Sequence, residues 1–263
     1  MSTYFLIPIG FIAGVIAGYL GIGGGGVFVP VLFYLCFLGN CAPDLVPKLS
    51  VGSSIGAVVL TGAAGAIRHW QLSHVSAPIL IKTAIGAVVG AFFGGLTVCY
   101  LPGNTLRIII GIVLLIAAAR MITNRTQYIG ELGEKAPWWL IPAGVGIGII
   151  AATVGVGGGI LAVPFFTGIL KLKTKRAAGT SAALTLILGL SAIVGHLIWG
   201  SGVPNRPPGS VGFVVIQNSL ALGIPAAFGA VLGAGFHKKF APKVFKIVFA
   251  LLLVVVGIKM LFV

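Results

Sequence analysis

The sequence predicts an all-α integral membrane protein built from two homologous halves, and three observations carry that prediction. The first is composition: of 263 residues, 58% are hydrophobic and only 8% are charged, at a mean hydropathy of +1.16. A soluble domain carries roughly 45–50% apolar and about 25% charged residues, so a water-covered globule is excluded. Disorder is excluded too, because it requires low hydrophobicity. The second is a doubled decapeptide. Gly21-Ile22-Gly23-Gly24-Gly25-Gly26-Val27-Phe28-Val29-Pro30 matches Gly155-Val156-Gly157-Gly158-Gly159-Ile160-Leu161-Ala162-Val163-Pro164 at an offset of 134. The third is charge: 17 Lys and Arg stand against 3 Asp and Glu. In a soluble chain that excess suggests nucleic acid, but in a membrane chain it marks cytoplasmic loops. Nucleic acid is therefore not an expected partner; the lipid bilayer is.

Apolar segments lie at about 4–20, 27–38, 50–67, 77–100 and 104–122 in the first half. The second half has them at about 137–154, 160–170, 177–200, 210–236 and 241–262. That makes eight to ten transmembrane or half-membrane helices, at about 20 residues per full span. The first segment lacks the basic leader of a signal peptide, so it reads as a retained span. It carries Gly10, Gly14 and Gly18, matched by Gly144, Gly148 and Ala152, a spacing that lets helix backbones approach closely. Segments 27–38 and 160–170 are too short to span. They read as half-helices after a glycine break, with Pro30 and Pro164 in their first turns, where a missing N–H is harmless.

The third segments open with Gly52-Ser53-Ser54 and Gly179-Thr180-Ser181 and close with His69 and His196. The fourth pair Gly86, Gly90 and Gly94 with Pro225, Gly229 and Gly233. The fifth pair Arg107 with Lys246 and Arg120-Met121 with Lys259-Met260. Residues 124–136 hold both glutamates and read as a polar linker. The expected organisation is a first membrane repeat at 1–123, a linker at 124–136 and a second repeat at 137–263.

Topology follows from the glycine runs. If each is a hairpin, its flanking segments begin and end on one side, each half crosses an odd number of times, and the halves are inverted. Twelve basic residues then share one face: Arg68, Arg120, Arg125, Lys135, Lys171, Lys173, Lys175, Arg176, Lys238, Lys239, Lys243 and Lys246. If each run instead interrupts one long span, the halves are parallel and the charges divide less cleanly. The positive-inside rule favours inverted-topology repeats. Basic loops are then cytoplasmic and both termini outside, in a multi-pass plasma or bacterial inner membrane protein.

The glycine runs also carry the chemistry. Each glycine costs about 1 kcal/mol in a helix relative to alanine, and non-helical backbone at membrane depth is tolerated only inside protein or along an aqueous cavity. A helix starting after each break aims free N–H groups and a positive dipole end at that point. The candidate anion cradle is the backbone of Gly23, Gly24, Gly25, Gly26, Gly157, Gly158 and Gly159. Ser53, Ser54, Thr180 and Ser181 are candidate hydroxyl donors to substrate oxygens; helix caps or bonds to the i−4 carbonyl are the structural alternative. His69 and His196 are candidate protonatable partners, the alternative being interfacial histidines beside Trp70 and Trp199. Lys82 is expected to snorkel to the basic face. Gln217 and Asn218 serve either as interhelical glue or as substrate contacts.

Three acids, Asp44, Glu131 and Glu134, are too few for paired-carboxylate chemistry or a metal cage. Cys36, Cys41 and Cys99 lack metal or redox spacing and read as small apolar fillers. No metal, cofactor or catalytic residue is expected. Gly21–Gly26 fits a dinucleotide fingerprint but has no βαβ unit around it, and its repeat ends in Ile160. Gly52-Ser53-Ser54-Ile55-Gly56 fits a nucleophile elbow, yet its repeat breaks the pattern. An intramembrane hydrolase would need Ser54 within hydrogen-bond reach of His69.

The repeated G-x-G-G-G-x-x-x-V-P element and the small-Gly-[Ser/Thr]-Ser segments at Val51–Ser54 and Ala178–Ser181 resemble the TauE/SafE family of membrane transporters. The resemblance covers essentially the whole chain. It implies secondary transport of a small anion such as sulfite, sulfoacetate or a related sulfonate, usually described as export. The expected mechanism is alternating access around a midplane site, with protons as the candidate coupling ion and a homo-oligomer left open. The rivals are a passive anion channel, the hydrolase, and a membrane protein in which both glycine runs merely pack. One departure is Gly26, where the second half has Ile160, so any two-fold symmetry of the site is imperfect.

Overall fold

A computed structural model of the chain describes residues 3–39, 41–123, 136–235 and 242–262, with side chains from residue 247 in the last stretch. The first five helices among the described residues are α1 (Leu6–Leu20), α2 (Gly25–Leu38), α3 (Leu45–Gln71), α4 (Ala77–Tyr100) and α5 (Gly103–Thr123). The second five are α6 (Leu140–Val154), α7 (Gly159–Gly168), α8 (Thr174–Gly200), α9 (Ile216–Gly235) and α10 (Pro242–Phe262). A short antiparallel ribbon, β1 (Ser210–Val211) against β2 (Val214–Val215), precedes α9. The protein is an all-α integral membrane protein. Helices α3, α4, α5, α8 and α9 are each long and apolar enough to cross a bilayer, and α1, α2, α6 and α7 are shorter apolar helices.

The outward surface shows why water is the wrong solvent. Ile81, Ile85, Val89 and Phe93 on α4, and Leu220, Ile224, Phe228 and Leu232 on α9, are all exposed. Their four-residue spacing makes one continuous apolar stripe per helix. Small residues occupy the opposite stripes. Gly10, Gly14 and Gly18 of α1 lie against the backbone of Leu222, Ala226 and Ala230, and Gly86 and Gly90 of α4 against Ile141 and Val145 of α6. A Cβ at Gly14 would come within 2.6 Å of the Ala226 Cα, so these glycines set the closest helix approaches.

These contacts also give the directions. Residue numbers rise together along α1 and α9 and along α4 and α6, so those pairs are parallel. They run oppositely along α3 and α8, where Gly62 meets Leu186 and Gly65 meets Ala182. Helices α5 and α10 are likewise antiparallel, Gly111 meeting Leu261 while Leu115 meets Gly257. Helix α2 runs back along α3: Val29 and Val51 both meet Gly155, while Phe33 and Cys36 pack with Leu45, Val46 and Leu49. Because α3 is parallel to α9 (Gly56 on Ser219, Ala57 on Gly223), α1 and α2 form a hairpin turned at the first glycine run. On α8, Gly158 meets Leu188, whereas Leu172 N–H donates to the Phe166 carbonyl at 3.0 Å, so α7 turns back from α6 in the same way. Arg68, Arg120, Lys171, Lys173, Lys175 and Arg176 consequently collect at one end, and Lys48, Arg107, Arg206 and Lys259 at the other.

Three expectations need correction. The 210–236 segment is not helical throughout: Gly209 and Gly212 adopt left-handed backbone (φ 78° and 58°), turning the chain into the ribbon, and α9 starts only at Ile216. Pro30 and Pro164 lie in second turns, because the last left-handed glycines, Gly24 and Gly158, let α2 and α7 begin at the very next residue. Each ring therefore withholds an N–H from the carbonyl four residues back. The 50–67 segment extends to Leu45–Gln71, since Pro47 falls in a first turn and Arg68 and His69 continue the last. Residues 124–135 of the linker, with both glutamates, Arg125 and Lys135, lie outside the described residues, as do Lys238 and Lys239.

Candidate functional site

Each glycine run places three residues in left-handed backbone: Gly21, Gly23 and Gly24 (φ 72°, 76° and 83°) and Gly155, Gly157 and Gly158 (φ 77°, 74° and 74°). An L side chain there costs roughly 1–2 kcal/mol, which is why the positions are glycine. The N–H groups of Gly21 and Ile22 both fold back on the Ala17 carbonyl, at 2.7 and 3.1 Å. Those of Gly155 and Val156 do the same on Ala151, at 2.9 and 3.2 Å. One motif ends α1 and α6 and reverses the chain.

The two turns meet. A Cβ on Gly25 would lie 2.5 Å from the Val156 Cα and 2.6 Å from the Gly155 carbonyl oxygen. One on Gly159 would lie 2.6 Å from the Ile22 carbonyl carbon and 2.8 Å from the Gly21 oxygen. The runs therefore cross antiparallel, with Gly23 and Gly157 at the middle, both against Val58 of α3 and Thr185 of α8. Residues 21–30 and 155–160 are all buried.

Among the described residues, the N–H groups of Gly23, Gly24, Gly25, Gly26, Gly157 and Gly158 have no acceptor. Gly159 differs, donating to the Gly157 carbonyl at 2.9 Å. A buried donor left unmade costs roughly 1–3 kcal/mol, so six of them at the starts of two facing helices call for an outside acceptor. An anion fits that chemistry, since helix N-termini carry positive partial charge.

The paired hydroxyls divide into two tasks. Ser54 donates to the Gly155 carbonyl at 2.8 Å, and Ser181 to that of Gly159 at 3.5 Å, so they hold the turns in place. Ser53 Oγ accepts the Val215 N–H at 2.8 Å, and Thr180 Oγ1 accepts the Ser76 N–H at 2.9 Å. These two brace the equivalent starts of α9 and α4. His69 and His196 are fully buried. Their Nε2 atoms donate to the carbonyls of Gly18 (3.0 Å) and Ala152 (3.1 Å), in the last turns of α1 and α6. Each stands eleven residues from the crossing position on its helix, about 16 Å at 1.5 Å per residue. The structure brings the glycines, Ser54 and Ser181 together and sets the histidines apart from them. Ser54 and His69 stand about 22 Å apart along α3 by the same rise, which leaves the hydrolase geometry unmet.

Two central residues escaped sequence reasoning: Thr185 and Val58. Both lie one helical turn beyond the doubled serines, at equivalent positions, and that spacing was the available signal. Thr185 Oγ1 is buried and has no hydrogen-bond partner among the described residues.

Peripheral groups are anchors. At one end, Lys48, 7% exposed at its side chain, pairs with Asp44 at 2.9 Å and reaches the Cys99 carbonyl at 3.4 Å. Asp44 also accepts the Gly103 N–H. The hydrogen bond from Lys48, opposed by partial burial and helped by Gly103, holds the Asp44 carboxyl below its ordinary range. At the other end, burial and then the Lys175 charge push His74 below the usual imidazole range, and its Nδ1 lies 3.4 Å from that of His69. Lys82 reaches the Ala136 carbonyl and sits 4.5 Å over the Trp138 ring, joining α4 to the approach to α6. Gln217 is exposed and Asn218 half-buried. The cysteines are free, and no cluster of metal-ligating groups occurs among the described residues.

The chain is similar to known membrane proteins. The family model described as Sulfite exporter TauE/SafE matches residues 6–260. A probable membrane transporter protein of Haemophilus influenzae is 30% identical over 269 residues, covering 99% of both chains. One from Methanocaldococcus jannaschii is 28% identical, over 97% of this chain and 94% of that one. The probable membrane transporter protein YunE of Bacillus subtilis is 25% identical over 100% and 98%. No solved structure matches the chain.

Proposed function

Because this chain belongs to the sulfite exporter TauE/SafE family, a family of membrane transporters, we propose that it is a secondary transporter that exports a small anion of the sulfite or organosulfonate type. The observation that carries the anion is the buried crossing of the two glycine turns, with six backbone N–H groups lacking a protein acceptor. Backbone donors suit sulfonyl and sulfite oxygens, which accept several hydrogen bonds at once. Among the described residues the one acid, Asp44, stands fourteen residues before Val58, about 21 Å at 1.5 Å per residue, too far to repel a negative cargo at the crossing.

The same arrangement supports alternating access. We read the halves as inverted-topology repeats, supported by the antiparallel pairs α3/α8 and α5/α10. The hairpins α1–α2 and α6–α7 then enter from opposite sides, and their tips bound the site between them. Rocking one half against the other would expose the crossing to each side in turn. The end carrying Arg68, Arg120 and Lys171 to Arg176 is cytoplasmic by the positive-inside rule, which puts both termini outside. His69 and His196, bonded to the last turns of α1 and α6, would couple protons by moving these turns rather than by touching cargo.

Flux tests the reading. Purified protein in liposomes loaded with labelled sulfite, a short sulfonate or a carboxylate should show saturable efflux and counterflow, altered by a pH gradient. Non-saturable flux without counterflow would make it a channel, and no movement of any small anion would overturn the proposal.

A further inference from the structure

We infer that Thr185 is a substrate-binding hydroxyl that makes an otherwise two-fold site one-sided, an inference that rests on the transporter reading above. Helical threonines in this chain show what a spare hydroxyl ordinarily does. Thr61, Thr83, Thr97, Thr123 and Thr167 each donate to the carbonyl four residues back, at 2.7–3.2 Å. That bond is the default for threonine in a helix. Thr185 lies mid-helix in α8, fully buried, with the Ser181 carbonyl four residues back, and its Oγ1 has no hydrogen-bond partner among the described residues.

Its methyl group packs on the crossing. A Cβ on Gly23 would lie 2.6 Å from Thr185 Cγ2 and 3.7 Å from its Cβ, and one on Gly157 would lie 3.2 Å from Cγ2. The methyl makes these contacts, and the unpartnered hydroxyl branches from the same Cβ, at the edge of the crossing whose Gly23, Gly24, Gly157 and Gly158 N–H groups have no acceptor among the described residues. One oxyanion between the turns satisfies both kinds of donor. A buried hydroxyl kept from its local carbonyl, on a side chain that packs against free backbone donors, suits binding of a transient acceptor.

The equivalent position in the other half is Val58, which packs against the same two glycines. The backbone donors come from both halves, but the side-chain donor comes from one. Thr185 thus fixes which way round an anion sits, with its charged oxygens toward α8 and any carbon substituent toward Val58 and α3. An anion with a small apolar group gains from that asymmetry; one with oxygens all round gains less.

The test is efflux from proteoliposomes of wild type and of T185V, T185S and V58T, with labelled sulfite and a labelled two-carbon sulfonate. T185V keeps shape and loses only the hydroxyl. It should raise KM by about tenfold or more, as losing one hydrogen bond to a charged oxygen does, with little change in thermal stability in detergent. T185S should restore KM. V58T should weaken the preference for the sulfonate over sulfite. Unchanged KM in T185V, while wild type transports, overturns this inference and leaves the transporter reading standing. A lowered melting temperature with unchanged KM assigns the hydroxyl a structural role and overturns it equally. If T185V does not fold, T185A serves; failure of both to fold also counts against it. A wild type that moves no small anion defeats the transporter reading itself.

Discussion

Alanine at Gly25 or Gly159 should force the two turns apart. Gly25 is helical, so alanine meets no backbone penalty there, and the effect is steric alone. The new Cβ would stand 2.5 Å from the Val156 Cα and 2.6 Å from the Gly155 oxygen, against about 3.5–4.0 Å for carbon contacts at rest. The neighbours are backbone, so no side chain can swing away, and the turns must separate by roughly 1 Å or more. Overpacking of this kind costs about 1–3 kcal/mol, and alanine's better helix propensity returns at most about 1. The net loss is about 1–2 kcal/mol, roughly 2–8 °C at ~2–4 °C per kcal/mol for a chain of this size. Gly146 of α6 is the matched control, helical and with nothing within 4 Å of an added Cβ; G146A should leave stability level or raise it by about 0.5–1 kcal/mol. The assay is thermal unfolding in detergent alongside sulfite efflux, and G25A should lose both stability and flux. A G25A protein that melts and transports like wild type would refute the crossing of the turns as described.

The remaining expectations concern the groups that hold the site. S54A removes the 2.8 Å bond to the Gly155 carbonyl and should cost about 1–3 kcal/mol, seen as lower thermal stability, whereas S181A, losing a 3.5 Å contact, should cost less. D44N should destabilise by no more than about 1 kcal/mol, because the carboxylate is largely exposed. As Asp44 has a depressed folded value, its contribution is complete above about pH 3.9 and fades as pH falls through that lower value; wild type should melt above D44N at pH 6, and the gap should narrow at pH 3. His74 favours its neutral form in the fold, so its stability is present above about pH 6.5 and is lost as pH falls from there toward its lower folded value. Wild type should lose more thermal stability between pH 7.5 and 5.5 than H74Q does, and equal losses would show that His74 plays no part.

Much of the candidate site was legible because it is written twice. Consecutive glycines at matching positions point to a backbone purpose, and the doubled Gly-[Ser/Thr]-Ser segments point to hydroxyls beside it. Their division of labour was not legible. Ser53 and Thr180 brace α9 and α4 through Val215 and Ser76, partners 162 and 104 residues away that no local pattern signals. The histidines ended the right helices, but their carbonyl partners on Gly18 and Ala152 exist only because α1 and α6 end there. Thr185 and Val58 were invisible because threonine and valine in an apolar span are ordinary until the glycines are seen to lie against them.

The amino-acid sequence by itself determined the solvent, the helices and the pairing of halves. Composition, apolar run length and internal repetition are properties of the chain alone, and a bilayer reads them segment by segment. Tertiary structure decided what the glycine runs face. Two turns 134 residues apart cross because glycine lets backbone touch backbone, and the contact depends on helices folding back from opposite directions. Which donors then remain unpaired, and which side chains pack against them, is a consequence of that crossing and of nothing local.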